Sequence, residues 1–292
     1  MLYNSGLRPL SANTFFRFPV HKFLLLGVFS LPLVQAHGIN NPAMFDSVLK
    51  YQTGTVQLSD QLQIRTGTEL RFLNGQDANH VIYDVWGGSA DPNIVGMLLP
   101  RDLSPVSEGG WGLSMERVES GYVDARLWKN LKAQDLLKQM QKQQGQAEVL
   151  NWAMPPRFDP QSGVLVFATE VKLPNAKDTA VLPRVVVLGR ESLILMKGVI
   201  EKKHWSSMQP LLAQVGNAVQ FQKGHRYTDV QAGDRVYDYG MTALITGEPV
   251  QDPQAPEPVK WLPMLALVAG LGMMVALMGR TVRSRALKVQ AD

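Results

Sequence analysis

The sequence predicts an α+β fold: one antiparallel β-sheet covered by helices, with an apolar run near each chain end. Three observations carry this. The stretch "VLVFATEV" alternates in the manner of a half-buried strand, placing Leu165, Phe167 and Val171 on one side. Two segments, "NLKAQDLLKQMQKQQ" and Ser207–Val219, repeat apolar residues at helical spacing. The uncharged runs Phe23–Val34 and Trp261–Gly279 then set off the residues between them.

The first run follows Arg8, Arg17 and Lys22 and closes in the small residues "VQA". A basic region, a short apolar region and an A-x-A-like end define a secretory leader, residues 1–36, with cleavage after Ala36. An uncleaved anchor is the alternative, but 12 apolar residues fall short of the roughly 20 a spanning helix needs. Residues 37–54 read as a loose lead-in.

The folded domain is expected over 55–247. Thr55–Leu58 and Leu62–Arg65 are short strands. "DANHVIYDVWGG" is a helix capped by Asp77, with Val81, Ile82, Val85 and Trp86 on one face and Gly87–Gly88 ending it. Ile94–Leu99 and Trp111–Val118 are strands around a Pro/Ser/Gly loop. The polar amphipathic helix turns Ala133, Leu136, Leu137 and Met140 inward, and Leu150–Ala153 returns as a strand. "MPPRFDPQSG" is a turn cluster. "RVVVLG" and "SLILMKGVI" pair around a turn near Arg190–Glu191. In the next helix Ser207 caps, Pro210 sits in the first turn, and Met208, Leu211, Leu212, Val215 and Val219 form the inward stripe. A last helix starts at Asp234.

Residues 248–260, rich in proline, form an extended linker. Trp261–Gly279 is a transmembrane helix: 19 residues without charge, flanked by an interfacial Trp261 and by Arg280, Arg283, Arg285 and Lys288 in a cytoplasmic tail, 280–292. The expected location is therefore a bacterial inner membrane with the domain in the periplasm. Small residues at Ala266/Gly270 and Gly272/Ala276 permit weak self-association of the helix.

The net charge of +4 is a targeting signature. The leader carries three positive charges and the segment from Trp261 three net, which leaves −2 for the 224 residues between. A nucleic-acid partner would need a basic face on the domain itself, so none is expected. Cysteine is absent, which excludes thiol catalysis, Cys-ligated zinc, disulfides and N-terminal Cys lipidation.

Four segments, "ESGYV" at Glu119–Val123, "LNWAMPPRFD" at Leu150–Asp159, "VLGRESLIL" at Val187–Leu195 and "GHRYTDV…DRVYDYGMTALITG" at Gly224–Gly247, occur in that order between leader and span. In them the chain resembles the bacterial membrane-anchored family classified as domain of unknown function 2167. It departs at "TAVLPRVVVLG", where that family tends to be more polar. The resemblance implies location and architecture and transfers no mechanism. The order of elements is also similar to the PsbP/Mog1-like sandwich.

No H-E-x-x-H, G-x-S-x-G or P-loop pattern is present, the five histidines are not clustered for metal, and no cofactor is expected. The candidate site residues are Glu119, Tyr122 and Asp124; Arg157 with Asp159; Arg190 with Glu191; and Arg226, Tyr227, Asp229, Asp234 and Tyr239. Each set has a plainer structural reading as turn, ion pair or helix cap. Asp229, Asp234 and Asp238 are too openly spaced for a calcium loop. The expectation is an uncharacterised envelope protein whose domain binds a protein or small ligand without catalysis. The alternative is an envelope hydrolase or transferase using a carboxylate/tyrosine cluster.

Overall fold

Long runs of β-branched and leucine residues, such as Ala180–Leu188, become central strands because both of their faces must be covered. In the computed structural model the described residues are 42–126, 128–143, 147–174, 176–237 and 240–247. The leader, the linker, the expected transmembrane segment and the tail lie outside them. Among the described residues no helix is long and apolar enough to cross a membrane.

The chain opens with α1 (Pro42–Val48), β1 (Thr55–Ser59), β2 (Leu62–Arg65) and β3 (Leu70–Asn74). Next come α2 (Gly75–His80), running into a π-helical turn at Val81–Val85, then β4 (Ile94–Pro100) and β5 (Leu113–Val118). They are followed by α3 (Ala133–Lys142), β6 (Glu148–Asp159), β7 (Val164–Lys172), β8 (Ala180–Leu188), β9 (Leu193–Lys197) and β10 (Ile200–Glu201). The last elements are α4 (Trp205–Met208), α5 (Leu212–Ala218), β11 (Val219–Phe221) and α6 (Gly240–Thr246). The large sheet runs β3-β4-β5-β9-β8-β7-β6, with β10 paired to β8, and every pairing is antiparallel. A small antiparallel sheet, β1-β2-β11, stands apart from it. The α+β expectation, an antiparallel sheet covered by helices, holds.

One face of the large sheet, carrying Leu113, Met115, Val185, Val187, Ile194 and Met196, packs under the small sheet and the α4–α5 segment. The opposite face has two apolar clusters. Leu165, Phe167, Val186, Leu188, Leu193 and Leu195 meet α3, α6 and the loop bearing Tyr227 and Tyr237. Leu73, Ile94, Met97 and Leu99 meet α2 and its π turn.

Several local expectations change. Within the expected lead-in, Pro42–Val48 is helical and Leu49 is buried against the α2 cluster. Asn74, not Asp77, caps α2, its side chain accepting from the Asp77 amide. A further strand, β3, buries Leu70, Phe72 and Leu73, a pattern that the interleaved Arg71 and Asn74 mask in the sequence. "MPPRFD" is not a turn: it continues β6, an edge strand, where two prolines remove N–H groups that no neighbour needs. Register shifts between Trp152 and Arg157 absorb the strain on the β7 side. The Ser207–Val219 helix starts earlier, at Trp205, and Pro210 tightens Gln209–Leu211 into a 3-10 turn. Ser207 bonds back to the His204 carbonyl instead of capping, and Val219 already belongs to β11. The last helix begins at Gly240 because Asp234 is engaged elsewhere.

Candidate functional site

The two segments richest in candidate residues, 119–124 and 224–237, are far apart in sequence and meet in space. Gly121 makes the meeting possible. Its φ of +86° suits glycine, its amide donates to the Glu191 carbonyl at 2.7 Å, and a Cβ there would lie 2.6 Å from the Arg235 carbonyl oxygen. The next residue forms a parallel bridge with Val236: Tyr122 N–H donates to Arg235 O, and Tyr237 N–H donates to Tyr122 O, both at 2.7 Å. The Tyr122 ring stacks on Tyr227 with centroids 5.0 Å apart and planes inclined by 15°. Phe158 abuts Tyr227 edge-on at 5.9 Å, and the Tyr227 hydroxyl donates to the Val123 carbonyl at 3.1 Å. Burial, with the Tyr122 hydroxyl alongside, pushes the Tyr227 phenol upward.

The acids do not share a target. Glu119 pairs with Arg117 at 2.7 Å, and Asp124 binds Arg126, which lowers its carboxyl. Asp229 accepts from the amides of Gly224 and Arg226, bonds that close its own turn and hold its carboxyl down. Asp234 is gripped by Arg190 and by the Gln231 amide, which brings its carboxyl to about 2. Arg157 and Asp159 make no ion pair with each other among the described residues. Asp159 closes the β6–β7 hairpin, accepting from the Ser162 hydroxyl at 2.6 Å and the Gln161 amide. Arg190 and Glu191 likewise separate, Glu191 facing His225 at 3.9 Å. Tyr239 lies outside the described residues.

Beside Tyr227 a cleft of about 440 Å³ opens between the ends of β7 and β8, the end of α5 and the strand β11. Its floor includes Val164, Val187, Val219 and Phe221, and its rim Gln161, Asn217, Gln220 and Thr228; Arg226 is the one charged residue among those that line it. The volume falls within the range of small-ligand sites.

One charged group was missed in the sequence. On the face between the two apolar clusters, Ser114, Lys197 and Arg184 are cross-strand neighbours, and Glu116 is diagonal to Lys197. The Lys197 ammonium pairs with Glu116, at side-chain exposures of 3% and 14%. Arg184 donates to the carbonyls of Pro183 and Gly198. Burial lowers Lys197 against the pull of Glu116, and pushes Arg184 down to about 10. The register that unites them cannot be read from "LILMK" alone, where Lys197 looks like the polar end of a strand. Among the described residues no group of acids and histidines is arranged to hold a metal.

The chain is similar to the solution structure of cyanobacterial PsbP (CyanoP) from Synechocystis sp. PCC 6803, with 14% identity and a TM-score of 0.34, covering 60% of this chain and 92% of that one. No curated protein matches. A family model described as "Protein of unknown function (DUF2167)" matches residues 50–277, and the chain belongs to that family.

Proposed function

We propose that this is an envelope protein, secreted behind the leader 1–36 and tied to the inner membrane through Trp261–Gly279, whose domain works by binding and not by catalysis. The observation that carries the reading is the separate engagement of the candidate acids. Glu119, Asp124, Asp229 and Asp234 each hold their own partner, and none faces another across a space where a substrate would sit. A general acid and base need a common target within hydrogen-bond reach. The charge-free run with its basic flank supports the tether.

Photo-crosslinking in intact membranes tests the binding part. A defined partner or ligand recovered equally by the wild type and by a Glu119→Gln, Asp124→Asn double variant, which leaves the turn bearing Arg226 untouched, is the expected result. Turnover of an envelope substrate that this double variant abolishes, with the fold intact, would overturn it.

A further inference from the structure

We infer that the cleft beside Tyr227 takes the free carboxyl end of an extended peptide, which adds to the small sheet along β11. This rests on the binding reading above and gives it a site and a ligand chemistry.

The first support is an open strand edge. β11 pairs with β2 on one side and is the outer strand of its sheet. All three of its residues line the cleft. Gln222 N–H donates to Gln61 O at 2.8 Å, and antiparallel pairing alternates, so Gln220 turns its backbone groups toward β2. Phe221 therefore turns its N–H and C=O the other way, and no described residue takes them up. A strand of three residues is about 10 Å long, which matches a partner of about three residues. Main-chain pairing to such an edge is a general mode of peptide recognition.

The second support is charge. Arg226 is exposed and has no ion pair among the described residues, and no acid lines the cleft. Asp159 and Asp229 close their own turns; Asp229 accepts from the Arg226 amide and feels the Arg226 charge, but forms no ion pair with its guanidinium among the described residues. One guanidinium with amide and hydroxyl groups around it suits a single carboxylate followed by peptide groups. The apolar floor of Val164, Val219 and Phe221 accepts alternate side chains of an extended chain. A small free carboxylate would satisfy Arg226 but would leave the Phe221 edge unused.

The test uses the full chain in lipid nanodiscs and a pool of dye-labelled tetrapeptides randomised at every position. The pool is offered with free carboxyl ends, with C-terminal amides, or with alternate backbone amides N-methylated. Anisotropy reads binding, and hydrogen exchange reads the Phe221 amide. The free-acid pool should bind and protect Phe221. Amidation, N-methylation or Arg226→Gln should each weaken binding by about tenfold or more. Equal binding of acid and amide pools, or full displacement by acetate at the peptide's own concentration, overturns the proposal. So does absence of peptide binding, and if crosslinking still returns a partner, this site alone falls and the wider reading stands.

Discussion

Arg190 holds Asp234 through two parallel hydrogen bonds, Nε to Oδ2 and Nη2 to Oδ1, both 2.7 Å long. The pair joins the β8–β9 turn to the loop that carries Tyr227 and Tyr237, and Arg190 Nη1 also reaches the Gly224 carbonyl at 3.4 Å. The side chains are 19% and 9% exposed, shielded by their immediate neighbours while lying near the surface. A planar guanidinium matches a carboxylate in a way that an ammonium does not. The charged stretch is a clasp between segments.

The clasp makes a pH prediction. Arg190 lowers the Asp234 carboxyl from 3.8 to about 2, so the folded state binds the proton less tightly than the unfolded chain does. That stabilisation is present above about pH 4 and is lost as pH falls toward 2. Urea midpoints measured by tryptophan fluorescence should drop for the wild type across that window. Asp234→Asn should start lower at pH 7 and drop less, and Arg190→Lys should resemble it. Parallel curves for wild type and variant would remove Asp234 from the account.

The buried Glu116–Lys197 pair responds differently. Glu116→Leu alone leaves Lys197 beside Arg184 without its carboxylate and should cost about 3–5 kcal/mol. Adding Lys197→Met should return most of that loss, since an apolar pair of similar volume no longer buries a lone charge. Lys197 is lowered in the folded state, so its contribution to stability should rise with pH as its folded value and then the ordinary 10.5 are passed. Denaturant titration of the single and double variants decides. An additive loss in the double variant would contradict the pairing.

Two glycines separate backbone strain from crowding. Gly121 and Gly233 both have positive φ, +86° and +93°. A Cβ on Gly233 meets nothing within 4 Å, whereas one on Gly121 strikes the Arg235 carbonyl. Gly233→Ala should cost about 1–2 kcal/mol from the left-handed backbone alone. Gly121→Ala should cost more and should loosen the Tyr122–Val236 bridge, visible as faster hydrogen exchange at the Tyr237 amide. Equal losses at both positions would mean that the close approach is not important.

Much of the fold was legible because burial follows periodicity. Leu165 and Phe167 face one cluster as the alternation of β7 implies, and Met208, Leu212 and Val215 are buried as the helical stripe requires. The failures have local causes. Pro155 and Pro156 looked like a turn because sequence does not reveal that β6 is an edge strand. Asp234 looked like a helix cap because its partner, Arg190, is 44 residues away and only the folded chain brings it near. The same limit hid Glu116, Arg184 and Lys197, which register alone unites. Contact between the 119–124 and 226–237 segments was likewise beyond pattern reading, since it is made by backbone bridging and ring stacking.

The proposed topology is tested most directly by cysteine labelling, since the natural chain has no cysteine to interfere. A single cysteine replaces exposed Gln231 in the domain or Gln290 in the tail, and spheroplasts are treated with a membrane-impermeant maleimide. The account predicts labelling at Gln231→Cys in intact spheroplasts, and at Gln290→Cys only after lysis. Protection of the domain site, or labelling of the tail before lysis, would contradict it.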